Sequence, residues 1–187
     1  MATKLYFVRH GQSEANLTGC YYNEPDVALT PLGRAQAAKI GSVLGSQEIM
    51  FAAMICSPYR RALETCMIAL EYPGVIRAPI VVDARVKERD FGGLAGKEIT
   101  EEQNREIYNY ETDASAEYGI ETLEQLEERA CEFVEDVQQR YSGQNVLVFS
   151  HGVFGLAVQA AAQGRPESGD LYSLPLLENG EMMVLEL

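Results

Sequence analysis

The stretch Leu5-Tyr6-Phe7-Val8-Arg9-His10-Gly11 is a short apolar run that ends in an arginine, a histidine and a glycine. Apolar runs of β-branched and aromatic residues bounded by glycine are typical of buried strands. The same arrangement recurs at Val146-Leu147-Val148-Phe149-Ser150-His151-Gly152, and the chain has only these two histidines. Open α/β sheets bind their ligands at the carboxyl ends of strands. The sequence therefore predicts both imidazoles at the ligand-binding edge of a sheet.

Strand and helix signals alternate along the chain around these two runs. Thr30-Pro31 and Ser57-Pro58 each predict a helix start, with a hydroxyl cap followed by proline, and Thr122 with Gln125 forms a capping-box pattern. Asn179-Gly180 between apolar runs at 174–177 and 182–185 predicts a terminal hairpin. The predicted strands cover residues 5–8, 51–56, 80–82 and 146–149. This order favours a three-layer α/β sandwich with a mostly parallel central sheet and antiparallel edge strands.

Length and composition are those of one ordinary domain. The chain has 187 residues, so we expect a single domain over residues 1–187. The segment at about 98–121 is acidic and carries Tyr108, Tyr110 and Tyr118, and its helical periodicity is weak. We expect this cover segment (residues 98–121) to form a lid or an insertion over the sheet.

The charge balance excludes several classes of partner. The net charge is −13, which disfavours binding to nucleic acid or to anionic membranes, and no apolar stretch approaches the length needed to cross a bilayer.

The four cysteines have neither paired nor metal-ligand spacing, so we expect reduced thiols. Without a recognisable signal peptide, a cytoplasmic location is expected. The oligomeric state cannot be read from the sequence.

Arg9-His10-Gly11 has the residue types that phosphoryl transfer needs. A neutral imidazole can attack phosphorus, and a guanidinium presents donors that match phosphoryl oxygens. Gly11 would leave room for an anion near the backbone. These three residues alone are also compatible with a histidine that only caps a turn. The flanking sequence distinguishes the two interpretations.

The run Arg9-His10-Gly11-Gln12-Ser13-Glu14-Ala15-Asn16 resembles the RHG-x-[TS]-x-x-N signature of the histidine phosphatase superfamily, the phosphoglycerate mutase-like proteins. Further segments are similar to that family's motifs in the expected order, and the resemblance covers roughly residues 4–155. They are LT-x-x-G-x-x-QA at 29–37, S-x-L-x-RA-x-x-T at 57–65 with Tyr59 in place of the usual leucine, E-x-x-FG-x-x-x-G at 88–96, and SHG at 150–152. The match at 121–123 is loose. A phosphoglycerate mutase-like fold is implied.

The resemblance implies a role for each matched residue. His10 would be the nucleophile that becomes phosphorylated, His151 would stabilise charge, and Glu88 would be the general acid and then the general base. Phe91-Gly92 favours Glu88 over Asp90 for that role. The implied phosphate-binding residues are Arg9, Gly11, Ser13, Asn16, Arg61, His151 and Gly152, although Ser13 and Asn16 could instead cap a turn.

The same resemblance leaves the reaction open between two outcomes. Mutases of the family carry extra basic residues in the cover segment, whereas here Arg105 is the one positive charge in residues 101–121. We therefore expect a metal-independent phosphomonoester hydrolase, histidine acid phosphatase-like, without a cofactor, acting on a small-molecule phosphomonoester or a phosphoprotein. A phosphoglycerate mutase-type phosphotransferase and a non-catalytic phospho-ligand binder are the alternatives. The tyrosines of the cover segment favour a neutral, cationic or aromatic leaving group.

Overall fold

The computed structural model describes residues 2–75 and 78–187. Within them four strands and five α-helices precede a final, fifth strand. The strands are β1 (Lys4–Arg9), β2 (Ala53–Cys56), β3 (Ile80–Val82), β4 (Asn145–Ser150) and β5 (Met182–Glu186). The helices are α1 (Pro31–Gln47), α2 (Arg60–Leu70), α3 (Glu101–Ile107), α4 (Leu123–Arg140) and α5 (Gly152–Gln163).

The strands form one mixed sheet in the order β3-β2-β4-β1-β5. Strands β3, β2, β4 and β1 run parallel, and β5 joins the edge antiparallel to β1. In the central pair Arg9 is aligned with Ser150, so both histidines follow at the same edge of the sheet. The predicted α/β fold with a mostly parallel sheet is confirmed.

Alternating side chains on the central strands supply two separate apolar cores. Leu5, Phe7 and Val148 face a core shared with α4 and α5, whereas Val8 and Phe149 face a core shared with α1 and α2. Successive strand side chains point to opposite faces, so a strand buried on both sides reads as a continuous apolar run. Burial of each large apolar side chain contributes about 1.5–3 kcal/mol. Because successive side chains face opposite sides of the sheet, helices pack on both of its faces, and the fold has three layers.

The helix starts agree with the sequence in two of three cases. The Thr30 hydroxyl accepts from the backbone N–H of Gly33, and Thr122 with Gln125 forms the reciprocal capping box. The predicted start at Ser57-Pro58 is wrong, because α2 begins at Arg60 with Tyr59 as its N-cap residue. The reason is chemical: the Ser57 hydroxyl lies 2.8 Å from a ring nitrogen of His151.

The predicted terminal hairpin is also wrong in one of its strands. β5 pairs with β1, but residues 174–177 form no strand and pack instead on the core shared with α5. Their carbonyls are used by side chains, since Gln159 donates to the Pro175 carbonyl and Arg9 donates to the Leu177 carbonyl. Asn179-Gly180 does form a turn, which leads into the edge strand.

The cover segment contains α3 and a short 3-10 helix, Ser115–Tyr118. It is attached to the rest of the fold by Arg89, whose fully buried guanidinium donates to the Ile107 carbonyl and the Ser115 hydroxyl and stacks over Tyr108. Among the described residues no helix is long and apolar enough to cross a membrane. All four cysteines are free thiols.

Candidate active site

The two histidines meet at the carboxyl edge of the sheet. His10 follows β1 and His151 follows the neighbouring strand β4, and the centroids of their rings lie 5.1 Å apart, edge to face. Both side chains are buried. Parallel pairing therefore joins two residues that are 141 positions apart in the chain into one site.

Hydrogen bonds fix which nitrogen of His10 is available. Nδ1 lies 2.7 Å from the Gly11 carbonyl, an acceptor, so Nδ1 carries the proton. Nε2 accepts a hydrogen bond of 3.2 Å from Nε of Arg61. Burial lowers the pKa of His10 well below its ordinary value, and the charge of Arg61 lowers it further. His10 thus holds an unprotonated Nε2 towards the site, as a nucleophile requires.

Arg61 lies in the first turn of α2 and is held on three sides. Besides the contact to His10, its Nη1 donates to the Glu24 carbonyl at 3.1 Å, and its guanidinium lies 4.9 Å from the centre of the Tyr59 ring. Burial lowers the pKa of Arg61, and the Glu88 carboxylate opposes that shift. The guanidinium is consequently a fixed, desolvated cation beside the nucleophile.

Arg9 is fixed by the backbone of the C-terminal region. One Nη donates to the Leu177 carbonyl at 2.5 Å, whereas Nε is buried and has no partner. A Cβ at position 152 would lie 3.0 Å from the guanidinium carbon of Arg9, so Gly152 leaves the space that the guanidinium fills. Position 152 therefore needs glycine for packing against Arg9.

His151 presents a second free ring nitrogen to the site. Its Nε2 lies 2.8 Å from the Ser57 hydroxyl, and its Nδ1 is buried without a partner. Burial lowers the pKa of His151 well below its ordinary value, followed by the charge of Arg61. When the Ser57 hydroxyl donates to Nε2, the proton of the neutral ring is on Nδ1, which then becomes a donor to a ligand.

Unsatisfied polar atoms concentrate at this site. Among the described residues three buried side-chain polar atoms lack a hydrogen-bond partner, and two of them are Arg9 Nε and His151 Nδ1. Leaving a buried donor unpaired costs about 1–3 kcal/mol, so native proteins rarely do so without a reason. Arg9 Nε is a donor, and His151 Nδ1 is also a donor when the Ser57 hydroxyl donates to His151 Nε2. The arrangement suits an anion with several acceptor oxygens that is bound between the two imidazoles.

Glu88 caps the helix that follows His151. Its carboxylate accepts from the backbone N–H groups of Arg89, Val153 and Phe154 at 3.0, 3.3 and 3.1 Å. These contacts orient the carboxylate at the N-terminus of α5, where the free N–H groups of a helix favour negative charge. The loop before it is held by Arg129, which donates to the carbonyls of Arg85 and Lys87 at 2.6 and 2.9 Å.

The remaining predicted binding residues are placed unequally. The side-chain oxygen Oδ1 of Asn16 accepts hydrogen bonds from both the backbone N–H and the hydroxyl of Ser13, at 2.9 Å each. The side-chain NH₂ of Asn16 is therefore available to a ligand in the cavity that Asn16 lines. Ser13 is fully buried and orients Asn16. Gly11 does not leave room for an anion as expected. Its N–H donates to the Thr65 hydroxyl, and a Cβ there would lie 2.3 Å from the Gly33 carbonyl oxygen.

A cavity of about 170 Å³ opens beside these residues. Arg9, Asn16 and Glu88 line it together with residues from the loop after β1, the cover segment and the C-terminal region. Of the three tyrosines expected in the cover, only Tyr108 lines this cavity. Tyr110 lies under Arg165, and the Tyr118 hydroxyl donates to Glu106. The aromatic residues of the cavity are Tyr21, Tyr22, Phe91, Tyr108 and Tyr172.

Sequence reasoning missed several residues that shape the site. Ser57 and Tyr59 stood inside a recognised motif, so their positions could have been singled out there. Tyr172 and Asn179 had no such signal, because they reach the site only through the path of the C-terminal chain, where Asn179 donates to the His10 carbonyl. Across residues 2–75 and 78–187 no group of three or more His, Cys, Asp or Glu side chains is arranged to hold a metal ion.

Comparison with known proteins agrees with this geometry. A family model described as histidine phosphatase superfamily (branch 1) matches residues 5–187. A Hydrogenobacter thermophilus protein named "Putative phosphoserine phosphatase 2" is 32% identical over 154 residues, which cover 80% of this chain and 73% of that protein.

Two further relatives extend the comparison. A 2,3-bisphosphoglycerate-dependent phosphoglycerate mutase of Lactococcus lactis is 38% identical, but over only 50% of this chain and 40% of the mutase. The solved structure of Bacillus stearothermophilus YhfR superposes with a TM-score of 0.81 at 29% identity, covering 100% of this chain and 92% of that one.

Proposed function

The chain belongs to the histidine phosphatase superfamily, branch 1, and on that basis we propose that it is a phosphomonoester hydrolase working through a phosphohistidine on His10. The observation that carries the proposal is the pair of unpartnered buried donors, Arg9 Nε and His151 Nδ1, beside the unprotonated Nε2 of His10. They supply the positioning and charge neutralisation on which phosphoryl transfer depends.

The first half-reaction moves the phosphoryl group to the protein. Nε2 of His10 attacks phosphorus, the bond from phosphorus to the ester oxygen breaks, and the leaving oxygen takes the proton of Glu88 in its acid form. Arg9, Arg61 and His151 bind the three equatorial oxygens, on which the charge of the transition state is spread. The alcohol departs, and phosphate remains bonded to Nε2 of His10.

The second half-reaction returns the protein to its starting state. Glu88, now a carboxylate, takes a proton from a water molecule, whose oxygen attacks phosphorus. The bond from phosphorus to Nε2 breaks, inorganic phosphate leaves, and His10 regains its lone pair. Glu88 is again an acid. Two arginines supply the positive charge in this scheme and the His151 imidazole supplies a further hydrogen-bond donor, so we propose that it needs no metal ion.

The mutase alternative has less support. It requires a second anionic group to be bound, yet the one cation in residues 101–121, Arg105, is exposed and pairs with Glu101. Arg89 lies next to the site, but its donors are already used by Glu121, Ile107 and Ser115. We therefore assign hydrolysis of small-molecule monoesters as the main reaction.

A chromogenic aryl phosphate tests the proposal directly. We expect turnover that is unchanged by EDTA and is lost in His10→Ala. The melting temperature of the variant shows whether it remains folded. Rapid quenching of the wild-type protein with labelled substrate should trap a phosphoprotein that is labile in acid and stable in alkali. Hydrolysis that survives in a folded His10→Ala would contradict the nucleophile, and turnover that EDTA abolishes would contradict metal independence.

A second assay separates hydrolase from mutase. The protein is incubated with 3-phosphoglycerate and 2,3-bisphosphoglycerate, and the release of inorganic phosphate is compared with the formation of 2-phosphoglycerate. We expect phosphate release to exceed isomerisation. Isomerisation faster than the hydrolysis of any simple monoester would favour the mutase.

A further inference from the structure

We propose that the cavity beside Glu88 selects a small aromatic leaving group, so that the physiological substrate is the phosphate ester of a small aromatic alcohol or phenol. The inference rests on the proposed hydrolase function and specifies its substrate class. It depends on which residues line the cavity, on how they are held, and on which charges remain unpaired there.

Five of the fourteen residues that line the cavity are aromatic, and four of these rings are packed in pairs. The centroids of Tyr108 and Tyr172 lie 4.3 Å apart, edge to face, and those of Tyr21 and Phe91 lie 5.0 Å apart. The Tyr21 hydroxyl donates to Asn104 at 2.7 Å, which fixes that ring further. Rings held in this way can pack against another ring with little loss of side-chain entropy, and each aromatic pair is worth about 0.5–1.5 kcal/mol beyond the area buried.

No charge in the cavity is left for a charged leaving group. Arg9 and Glu88 are the two lining residues of the Arg, Lys, Asp and Glu types. Arg9 faces the phosphoryl site and the Leu177 carbonyl, and Glu88 exchanges a proton with the leaving oxygen in the proposed mechanism. Ile99 lies at the rim, 45% exposed, where a basic side chain would reach an anion. An anionic leaving group would therefore be desolvated without a partner.

Size restricts the leaving group as well. The cavity of about 170 Å³ is smaller than the roughly 300–1,000 Å³ of sites for drug-sized ligands, so it suits one ring better than a nucleoside or a disaccharide. A wider cleft of about 610 Å³ lies on the other side of Glu88, but neither Arg9 nor Asn16 lines it. The smaller cavity is thus the one lined by two of the implied phosphate-binding residues, Arg9 and Asn16.

The test compares esters whose leaving alcohols have similar acidity but different shape and charge. The substrates are benzyl, cyclohexylmethyl and n-propyl phosphate, with 3-phosphoglycerate and phosphocholine as the charged members. We expect kcat/KM for benzyl phosphate to exceed that for n-propyl phosphate by about tenfold to 100-fold, since a ring packed on aromatic walls gains about 1.4–3 kcal/mol. Cyclohexylmethyl phosphate should fall between them, and both charged esters should be the poorest.

Two variants assign the preference to the cavity. Tyr172→Ala should reduce the ratio of benzyl to n-propyl kcat/KM to about a third or less, whereas Tyr172→Phe should retain it, because only the ring is required. Ile99→Lys should raise kcat/KM for 3-phosphoglycerate relative to benzyl phosphate, because it adds a cation at the rim. Tyr172 and Ile99 are 38% and 45% exposed, so the fold should accept these changes.

The possible failures are distinguishable. Hydrolysis of every ester at similar rates, or better hydrolysis of phosphocholine or 3-phosphoglycerate, would overturn the aromatic assignment and leave the hydrolase in place. A phosphotyrosyl peptide that outperforms phenyl phosphate would overturn the restriction to small substrates. Failure to hydrolyse any ester would instead contradict the proposed function.

Discussion

Nε of Arg61 donates a hydrogen bond of 3.2 Å to Nε2 of His10. One side chain therefore contacts the lone pair of the predicted nucleophile and also lies beside the predicted phosphoryl site. Because an imidazole nitrogen that accepts a hydrogen bond carries no proton, this contact keeps His10 in its reactive state. Arg61 should therefore affect both the ionisation of His10 and the charge of the transition state.

Substitution of Arg61 should be far more damaging than substitution of its neighbour. Arg61→Ala should lower kcat by about 100-fold to 1,000-fold, as for the loss of one donor to a developing oxyanion. Arg60→Ala is the matched control, since Arg60 is exposed and pairs with Asp26 and Glu64 outside the site. Arg60→Ala should remain within about threefold of the wild type. Equal losses in steady-state kinetics of the two variants would contradict the role of Arg61.

The buried imidazoles should make the ligand-free protein acid-sensitive. Burial lowers the pKa of both His10 and His151, so below the ordinary value of 6.5 the unfolded chain binds more protons than the folded one. Stability should then be complete above that pH. As the pH falls below it, each imidazole should cost up to about 1.4 kcal/mol per pH unit. Urea unfolding between about pH 7.5 and 5.5 measures this loss.

The control for that experiment is the double variant His10→Asn/His151→Gln, in which the carboxylates alone remain to give a pH dependence. Inorganic phosphate provides a second check, because an anion between the imidazoles favours their protonation and should reduce the loss at low pH. An identical pH dependence for the wild type and the double variant would show that the imidazoles are not the source.

Ser57 should set the tautomer of His151. Ser57→Ala removes the partner of Nε2, so the proton of His151 is no longer directed to Nδ1, and kcat should fall about tenfold, the worth of one hydrogen bond. Ser46→Ala, at an exposed serine late in α1, serves as the control. A change confined to KM for Ser57→Ala would argue against this role.

The leaving-group dependence of the rate should reveal what holds Glu88. Arg129→Met removes the donors to the carbonyls of Arg85 and Lys87, so Glu88 is less well oriented, and we expect kcat for alkyl phosphates to fall by about tenfold or more. Esters of acidic phenols need little protonation and should be affected much less. Arg140→Met, on the same helix but paired with Asp136 near solvent, is the control. Equal losses for both substrate types would indicate a general loss of structure.

Much of the site could be predicted because it lies in short segments with strong local signals. The apolar runs before His10 and His151 place both imidazoles at strand ends, and the motifs from Arg9 to Asn16 and around Arg61 and Glu88 carry the family resemblance. The expected helix start at Ser57 failed because the hydroxyl contacts His151, a residue 94 positions away. The expected strand at 174–177 failed because side chains of Arg9 and Gln159 take carbonyls of that run.

The sequence by itself determined the three layers, the two strand-end histidines and the residue types around the phosphate, since these follow from hydrophobic periodicity and local motifs. Only the tertiary structure decided which ring nitrogens are free, that Gly11 packs against Gly33, and that Tyr21 and Tyr172 rather than Tyr110 and Tyr118 join Tyr108 in the cavity. Those features depend on contacts between segments far apart in the chain. Packing and hydrogen bonding fix these features only after the strands have paired into the parallel sheet.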